Sequence, residues 1–142
     1  MALWSQSPTP EQLNSYSRDT LSEWIGMEIT EVGEDFIRGR MPVDKRTRQP
    51  YGLLHGGASV ALAETLGSIA AYCVVAGTGA KVVGIEINAN HLRAAHEGWV
   101  IGTARPLHVG RSTQVWEIRI ENEAGALVCI SRLTMAVVAK VP

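Results

Sequence analysis

Q-P-Y-G-L-L-H-G-G-A-S-V-A-L-A-E-T-L-G-S, residues 49–68, decides how the rest of the chain is read. A turn runs through His55-Gly56-Gly57 into a segment that stays small or apolar from Gly57 to Val75, without proline and with a single charge, Glu64. Apolar residues on nearly every side predict a helix over 56–76 that is buried on most faces. An ionised carboxylate buried without partners costs several kcal/mol or shifts its pKa upward, so Glu64 is either compensated or used. One of the ten arginines could pair with it as a structural ion pair. Val60, Ala61, Gly67 and Ser68, one turn away on the same face, are small enough to leave room beside it.

Upstream, Thr9-Pro10-Glu11 supplies a helix start, with Leu13, Tyr16, Leu21 and Trp24 as an apolar side and Gly26 as the stop, so residues 1–25 form an N-terminal helical segment. M-E-I-T-E-V (27–32) and F-I-R-G-R-M-P-V (36–43) flank Gly33-Glu34-Asp35 as a hairpin. The loop D-K-R-T-R-Q-P-Y-G-L-L-H-G (44–56) is basic at first and apolar at its end. Lys45, Arg46 and Arg48 are expected to be solvated. Pro50 holds Gln49 extended, and Tyr51, Leu53 and Leu54 could wall a pocket.

Downstream, Gly77-Thr78-Gly79 turns the chain into Val82–Asn90, read with Val83, Ile85 and Ile87 on one face and Glu86 and Asn88 on the other. Trp99–Val109 gives another strand. In Gln114–Glu121, Trp116, Ile118 and Ile120 alternate with Glu117, Arg119 and Glu121, and Leu127–Val138 closes the chain. The expected fold is α+β, with an antiparallel sheet of five or six strands wrapped around one long central helix and a short N-terminal helix beside it.

The 142 residues fit one domain, 1–142. A formal charge of −1 with acids and bases interspersed argues against a general nucleic-acid or membrane-surface binder, so any anion site must be local. Cys73 and Cys129 both fall in apolar patterns and read as buried thiols. M-A-L-W-S-Q-S-P-T-P-E-Q lacks a basic stretch followed by an apolar core, so the expectation is a cytoplasmic protein without a membrane span. No Cys/His/Asp spacing suggests a metal.

A helix N-terminus carries backbone N–H groups without intrahelical partners, and glycine lets a ligand approach them. Gly56 and Gly57 are therefore candidate oxyanion donors, with the Gln49 side-chain N–H and His55 beside them. Donors opposite a carboxylate are what hydrolysis of an activated carbonyl requires. Gly56 and Glu64 are eight residues apart. At 1.5 Å per residue they lie ~12 Å apart along the axis, too far to grip one carbonyl. Acting on one substrate, they must come from two chains, so an obligate dimer with two composite sites is expected.

These twenty residues, followed by V-G-I-E-I-N-A-N-H-L-R (83–93) and closed by S-R-L-T-M-A-V-V (131–138), resemble the hotdog-fold acyl-CoA thioesterases. The bacterial branch acting on aromatic acyl-CoA thioesters, such as hydroxybenzoyl-CoA and 1,4-dihydroxy-2-naphthoyl-CoA, is the most similar. The resemblance implies that Glu64 is the catalytic nucleophile or general base and that Gln49 and the Gly56 N–H polarise the carbonyl. It places His55 beside them and gives Ser68 the orientation of water or substrate. It implies that His91 lies in the acyl pocket, and that Arg93, Arg111, Ser112 and Thr113 contact the CoA phosphates. Gly57, Tyr51, Leu54, Ile69 and Tyr72 are expected to complete the substrate site. Coenzyme A enters as part of the substrate, no further cofactor is implied, and the assembly expected is a homodimer, built up into a homotetramer.

The same resemblance leaves two other enzymes of this fold and one non-enzyme as alternatives. A dehydratase of 3-hydroxyacyl thioesters would want a histidine and a carboxylate at the β-carbon, which the placement of Glu64 and the helix-start donors opposes. Thioesters on an acyl carrier protein would use the same machinery. A non-catalytic acyl-CoA-binding module would have no use for Glu64 facing a thioester.

Overall fold

A computed structural model describes residues 2–139; Met1 and residues 140–142, at the ends of the expected 1–142 domain, lie outside the described residues. Six strands form one antiparallel sheet: β1 (Glu28–Val32), β2 (Ile37–Pro42), β3 (Lys81–His91), β4 (Trp99–Val109), β5 (Thr113–Asn122) and β6 (Leu127–Val138), in the order β1-β2-β4-β5-β6-β3. Helices α1 (Pro10–Ser15) and α2 (Leu21–Trp24) precede the sheet, and α3 (Gly56–Val75) leaves β2 and crosses to β3 at the far edge. The fold matches the expected architecture, with the strand count at the upper of the two numbers.

Helix α3 is long and apolar enough to cross a membrane by length and composition alone. Here it packs against β2, β3, β4, β5 and β6, with Leu62, Ala63, Leu66, Ala70, Ala71 and Cys73 buried. One knob seats it over β2 and β4. Gly39 of β2 and Gly102 of β4 are cross-strand partners, and Leu66 sits over both. A Cβ at Gly102 would stand 2.6 Å from Leu66 Cδ1, and one at Gly39 2.8 Å from Leu66 Cδ2. The missing side chains form a dimple in the sheet that receives the leucine, a close approach only glycine permits. Trp116, Ile118 and Ile120 line the inner face of β5 as their alternation predicted. Cys73 and Cys129 are buried free thiols, as expected.

Two sequence expectations are corrected. The N-terminal helix is two short helices rather than one, and of its expected apolar side only Leu13 is buried, while Tyr16, Leu21 and Trp24 are exposed. The Thr9 cap does form, with Thr9 Oγ1 accepting from the Gln12 N–H (3.2 Å) and Gln12 Oε1 accepting from the Thr9 N–H (3.0 Å). The break lies at Ser17–Thr20. There the Thr20 hydroxyl donates to Ser17 O (2.6 Å), and Asp19 takes φ 58° with its N–H bonded to Glu23 Oε2 (2.6 Å). Short polar side chains that bond nearby backbone groups compete with helix propagation.

In β3 the expected face of Val83, Ile85 and Ile87 does not exist. The register against β6 shifts between Gly84 and Glu86, so Ile85 is an extra residue. The bulge inverts the alternation: Val82 before it and Ile87 and Ala89 after it pack on the core, while Val83 and Ile85 are exposed.

Candidate active site

Loop 44–55, which delivers the start of α3, is held by its own backbone. The His55 N–H donates to Thr47 O (2.7 Å), the Gln49 N–H to Leu53 O (2.8 Å) and the Leu54 N–H to Ala95 O (2.8 Å). Buried Thr47 donates its hydroxyl to Pro42 O (2.7 Å). Two of the loop's three bases are spent locally. Arg46 pairs with Asp44 (2.7 Å), whose carboxyl its hydrogen bonds hold below the usual range, and Arg48 donates to His96 O (2.9 Å).

Within this frame Gln49 Oε1 accepts from the Tyr51 N–H (2.5 Å). That contact commits the oxygen of the carboxamide, and its N–H groups have no acceptor among the described residues. His55 is the N-cap of α3, its Nδ1 accepting from the Gly57 N–H at 2.8 Å. An accepting Nδ1 puts the proton of the neutral imidazole on Nε2. Gly57 is therefore corrected as an oxyanion donor, because its N–H is already taken inside the chain. The Gly56 N–H donates to nothing among the described residues. His91, at the end of β3, lies over it: a Cβ on Gly56 would be 3.0 Å from His91 Nε2. Gln49, Leu54, Gly56, His91 and Arg93 line one open cleft of about 380 Å³ at the head of α3. Tyr51 is 90% exposed at the loop tip, next to Gly52 at φ 82°, and does not line this cleft.

Glu64 stands two turns further along α3 and is exposed, not buried as the sequence suggested. The helix is wrapped on one side only, since Gly57, Glu64 and Tyr72 emerge along the stripe that the sheet leaves uncovered. Glu64 has no ion-pair or hydrogen-bond partner among the described residues, which removes the structural-pair reading within the chain. Its Oε1 lies 3.1 Å from where a Cβ of Gly84 would be, so the bare backbone of β3 gives the carboxylate its space. Ser68, one turn on, is half-buried with its hydroxyl 3.8 Å from Met135 Sδ. Ser68, Ile69 and Tyr72 line a second groove of about 520 Å³ with Tyr16, Ala80, Lys81 and Val82. Tyr16 and Lys81 were not among the expected site residues; the apolar side assigned to the first helix was the one signal that included Tyr16.

The remaining expected residues lie elsewhere. Arg111, Ser112 and Thr113 belong to the β4–β5 turn and the start of β5, where Ser112 O accepts from the Val137 N–H (2.9 Å) and Thr113 faces Ala136. Val137 in turn pairs with Val82. This turn is therefore at the Lys81 end of β3, while His91 and Arg93 are at the other, roughly 30 Å away along an eleven-residue strand. One chain thus holds two half-sites: free donors with His91 and Arg93 at the head of α3, and Glu64 with the Ser68–Tyr72 groove further along.

A six-stranded antiparallel sheet around a long central helix is the architecture of a hotdog domain, here with amide donors at the helix head and a carboxylate on its open stripe that have no partners among the described residues. Residues 51–129 match the family model described as the Thioesterase superfamily. The chain is 57% identical over 137 residues to a putative esterase of Vibrio cholerae, covering 96% of this chain and 91% of that protein. It is 49% identical over 135 residues to the 1,4-dihydroxy-2-naphthoyl-CoA hydrolase of Escherichia coli, covering 95% and 98%. The crystal structure of a thioesterase from Haemophilus influenzae superposes with a TM-score of 0.95 at 47% identity, covering 99% of this chain and 97% of that one. The chain belongs to the Thioesterase superfamily and is a thioester hydrolase.

Proposed function

We propose that the chain hydrolyses an aromatic or medium-chain acyl-CoA to the free acid and coenzyme A, in two composite sites of a homodimer. The observation that carries this reading is the bare, unpaired Glu64, ~12 Å along α3 from the free Gly56 N–H. Two copies of α3 packed antiparallel about a twofold axis bring Gly56 and Gln49 of one chain to Glu64 and Ser68 of the other. The edge of β3 is open, with Val83 and Ile85 exposed, and suits antiparallel pairing with a second β3. That pairing carries the Arg111–Thr113 turn of one chain toward Arg93 of its partner, which gathers the expected phosphate contacts.

In each site the Gln49 carboxamide N–H and the Gly56 N–H polarise the thioester oxygen, with His55 Nε2–H and His91 beside them. Glu64 either attacks the carbonyl carbon, expelling CoA thiolate and leaving a mixed anhydride for water to cleave, or takes a proton from water as it attacks. Ser68 orients the water, and the acyl group lies against Leu54, Ile69 and Tyr72. No cofactor takes part. The similarity to the Escherichia coli hydrolase supports an aromatic acyl-CoA as substrate. We place the enzyme in the cytoplasm, with dimers pairing into a homotetramer.

The test is thiol release from benzoyl-, hydroxybenzoyl-, dihydroxynaphthoyl-, phenylacetyl- and straight-chain acyl-CoAs, with wild type and Glu64→Ala side by side. Release lost in the variant, with CoA binding retained, is the expected result. Wild-type rates in the variant would overturn the role of Glu64. No release from folded, CoA-binding protein would direct the search to thioesters on a carrier protein.

A further inference from the structure

The groove lined by Ser68, Ile69 and Tyr72, which starts one helical turn beyond Glu64, has an end, and Tyr16, from outside the expected site, helps to build it. Tyr16, the C-cap of α1, meets Tyr72 of α3 edge to face, with ring centroids 6.2 Å apart and planes at 82°. Behind this pair lies a second cavity of about 150 Å³, bordered by Gln6, Ser7, Gln12 and Cys73. Tyr16 and Tyr72 are the two residues that border both spaces. The ring pair is a partition between an apolar groove and a smaller chamber with polar side chains in its wall.

The placement of Tyr16 is built into the N-terminal segment. The Thr9–Gln12 capping box starts α1, and Leu13 is buried beneath it. Asn14 then bonds both backbone groups of Ile29 in β1, donating from Nδ2 to Ile29 O (2.9 Å) and accepting at Oδ1 from the Ile29 N–H (2.7 Å). Two residues later the chain sets Tyr16 over Tyr72. Both rings are partly exposed, Tyr16 at 63% and Tyr72 at 45%, so a ligand in the groove would cover apolar surface that the fold leaves bare.

We propose that Tyr16 is a specificity-determining residue: the Tyr16–Tyr72 pair ends the acyl groove and favours acyl groups that stop at a flat ring over straight chains that must enter the chamber behind it. This rests on the acyl groove assigned above. Tyr72 lies eight residues beyond Glu64, ~12 Å along the helix, a span that holds a benzoyl ring and that a dodecanoyl chain overruns. Edge and face contacts with the tyrosines reward the ring.

The test compares kcat/KM for dodecanoyl-CoA and benzoyl-CoA in wild type, Tyr16→Ala, Tyr16→Leu and Tyr16→Phe, with circular dichroism confirming the fold. Removing the ring should lower the benzoyl value by about threefold to tenfold. Each methylene newly buried beyond the partition should raise the dodecanoyl value by roughly fourfold. The dodecanoyl-to-benzoyl ratio should therefore rise by at least about tenfold in Tyr16→Ala and Tyr16→Leu and stay near wild type in Tyr16→Phe. An unchanged ratio in folded variants, or an equal fall for both substrates, would overturn the proposal. Absence of wild-type turnover on both substrates would count against the hydrolysis of acyl-CoA instead. The same ratio would then be read as binding, by calorimetry with thioether analogues of the two acyl-CoAs, under the same criteria.

Discussion

Pairing a Glu64→Ala chain with a Gln49→Ala chain tests whether each site is shared between two chains. In a composite site, Gln49 comes from one protomer and Glu64 from the other. A mixed dimer then has one site with both residues intact and one site with both lost, and retains about half of the wild-type rate. The Gln49→Ala parent, lacking one oxyanion donor, should run at roughly 1/100 to 1/1000 of wild type, and the Glu64→Ala parent slower still. If Gln49 and Glu64 of one chain served the same site, each site of the mixed dimer would carry one lesion. Its rate would then be no more than about half that of the Gln49→Ala parent, below roughly 0.5% of wild type. The two arrangements differ by about a hundredfold, far beyond assay error. Two affinity tags on co-expressed chains allow tandem purification of mixed dimers, and thiol release from the best acyl-CoA gives the rate. Verified mixed dimers no faster than the Gln49→Ala parent would refute the shared site, and with it the inference from the ~12 Å spacing along α3.

The Leu66 knob and its glycine seat should be thermodynamically coupled. Leu66→Ala should cost about 2–5 kcal/mol and Gly102→Ala about 1–3 kcal/mol. The double variant should cost less than the sum by ~1 kcal/mol or more, because the new methyl then fills space the leucine vacates. Additive losses in urea denaturation would show that the close approach over Gly102 has no energetic weight. A pH series probes the buried thiols. Burial pushes Cys73 up to about 11 and raises Cys129 as well, against roughly 8.5 for an unfolded thiol. Because the folded pKa is the higher one, the stabilisation is complete below about pH 8.5 and is lost as pH rises through about 11. Cys73→Ala should flatten this alkaline decline, and an unaltered slope would assign it to other groups.

Much of the fold was legible because apolar periodicity is a local property. β4 and β6 fall where the alternating runs end, and α3 starts at the predicted Gly56 and stops one residue short of the predicted end. What escaped depended on relations between segments. The Ile85 bulge cannot be inferred from V-G-I-E-I-N, which alternates acceptably in either register, and it reversed the outward face of β3. Glu64 read as buried because its helix is apolar on all sides, yet the sheet covers only part of that circumference. The Gly57 N–H is taken by the His55 side chain, a cap that depends on the imidazole's rotamer and not on the spacing of H-G-G. Tyr16 was legible as an apolar residue of the first segment, but its position over Tyr72 follows from Asn14 gripping a strand fifteen residues away.

Strand order also imposes a schedule on synthesis. β3 is complete at His91, but within the chain its single neighbour is β6, which does not begin until Leu127. At 5–20 residues per second, the ribosome spends roughly two to seven seconds making the intervening segment. By the end of that interval α3 has emerged with its sheet unfinished, and the apolar flank that β6 will cover is not yet covered. A nascent chain stalled before Leu127 would therefore leave β3 unpaired within the chain and part of α3 uncovered. Emergence of β6, rather than of the helix at the centre, joins β3 to the rest of the sheet.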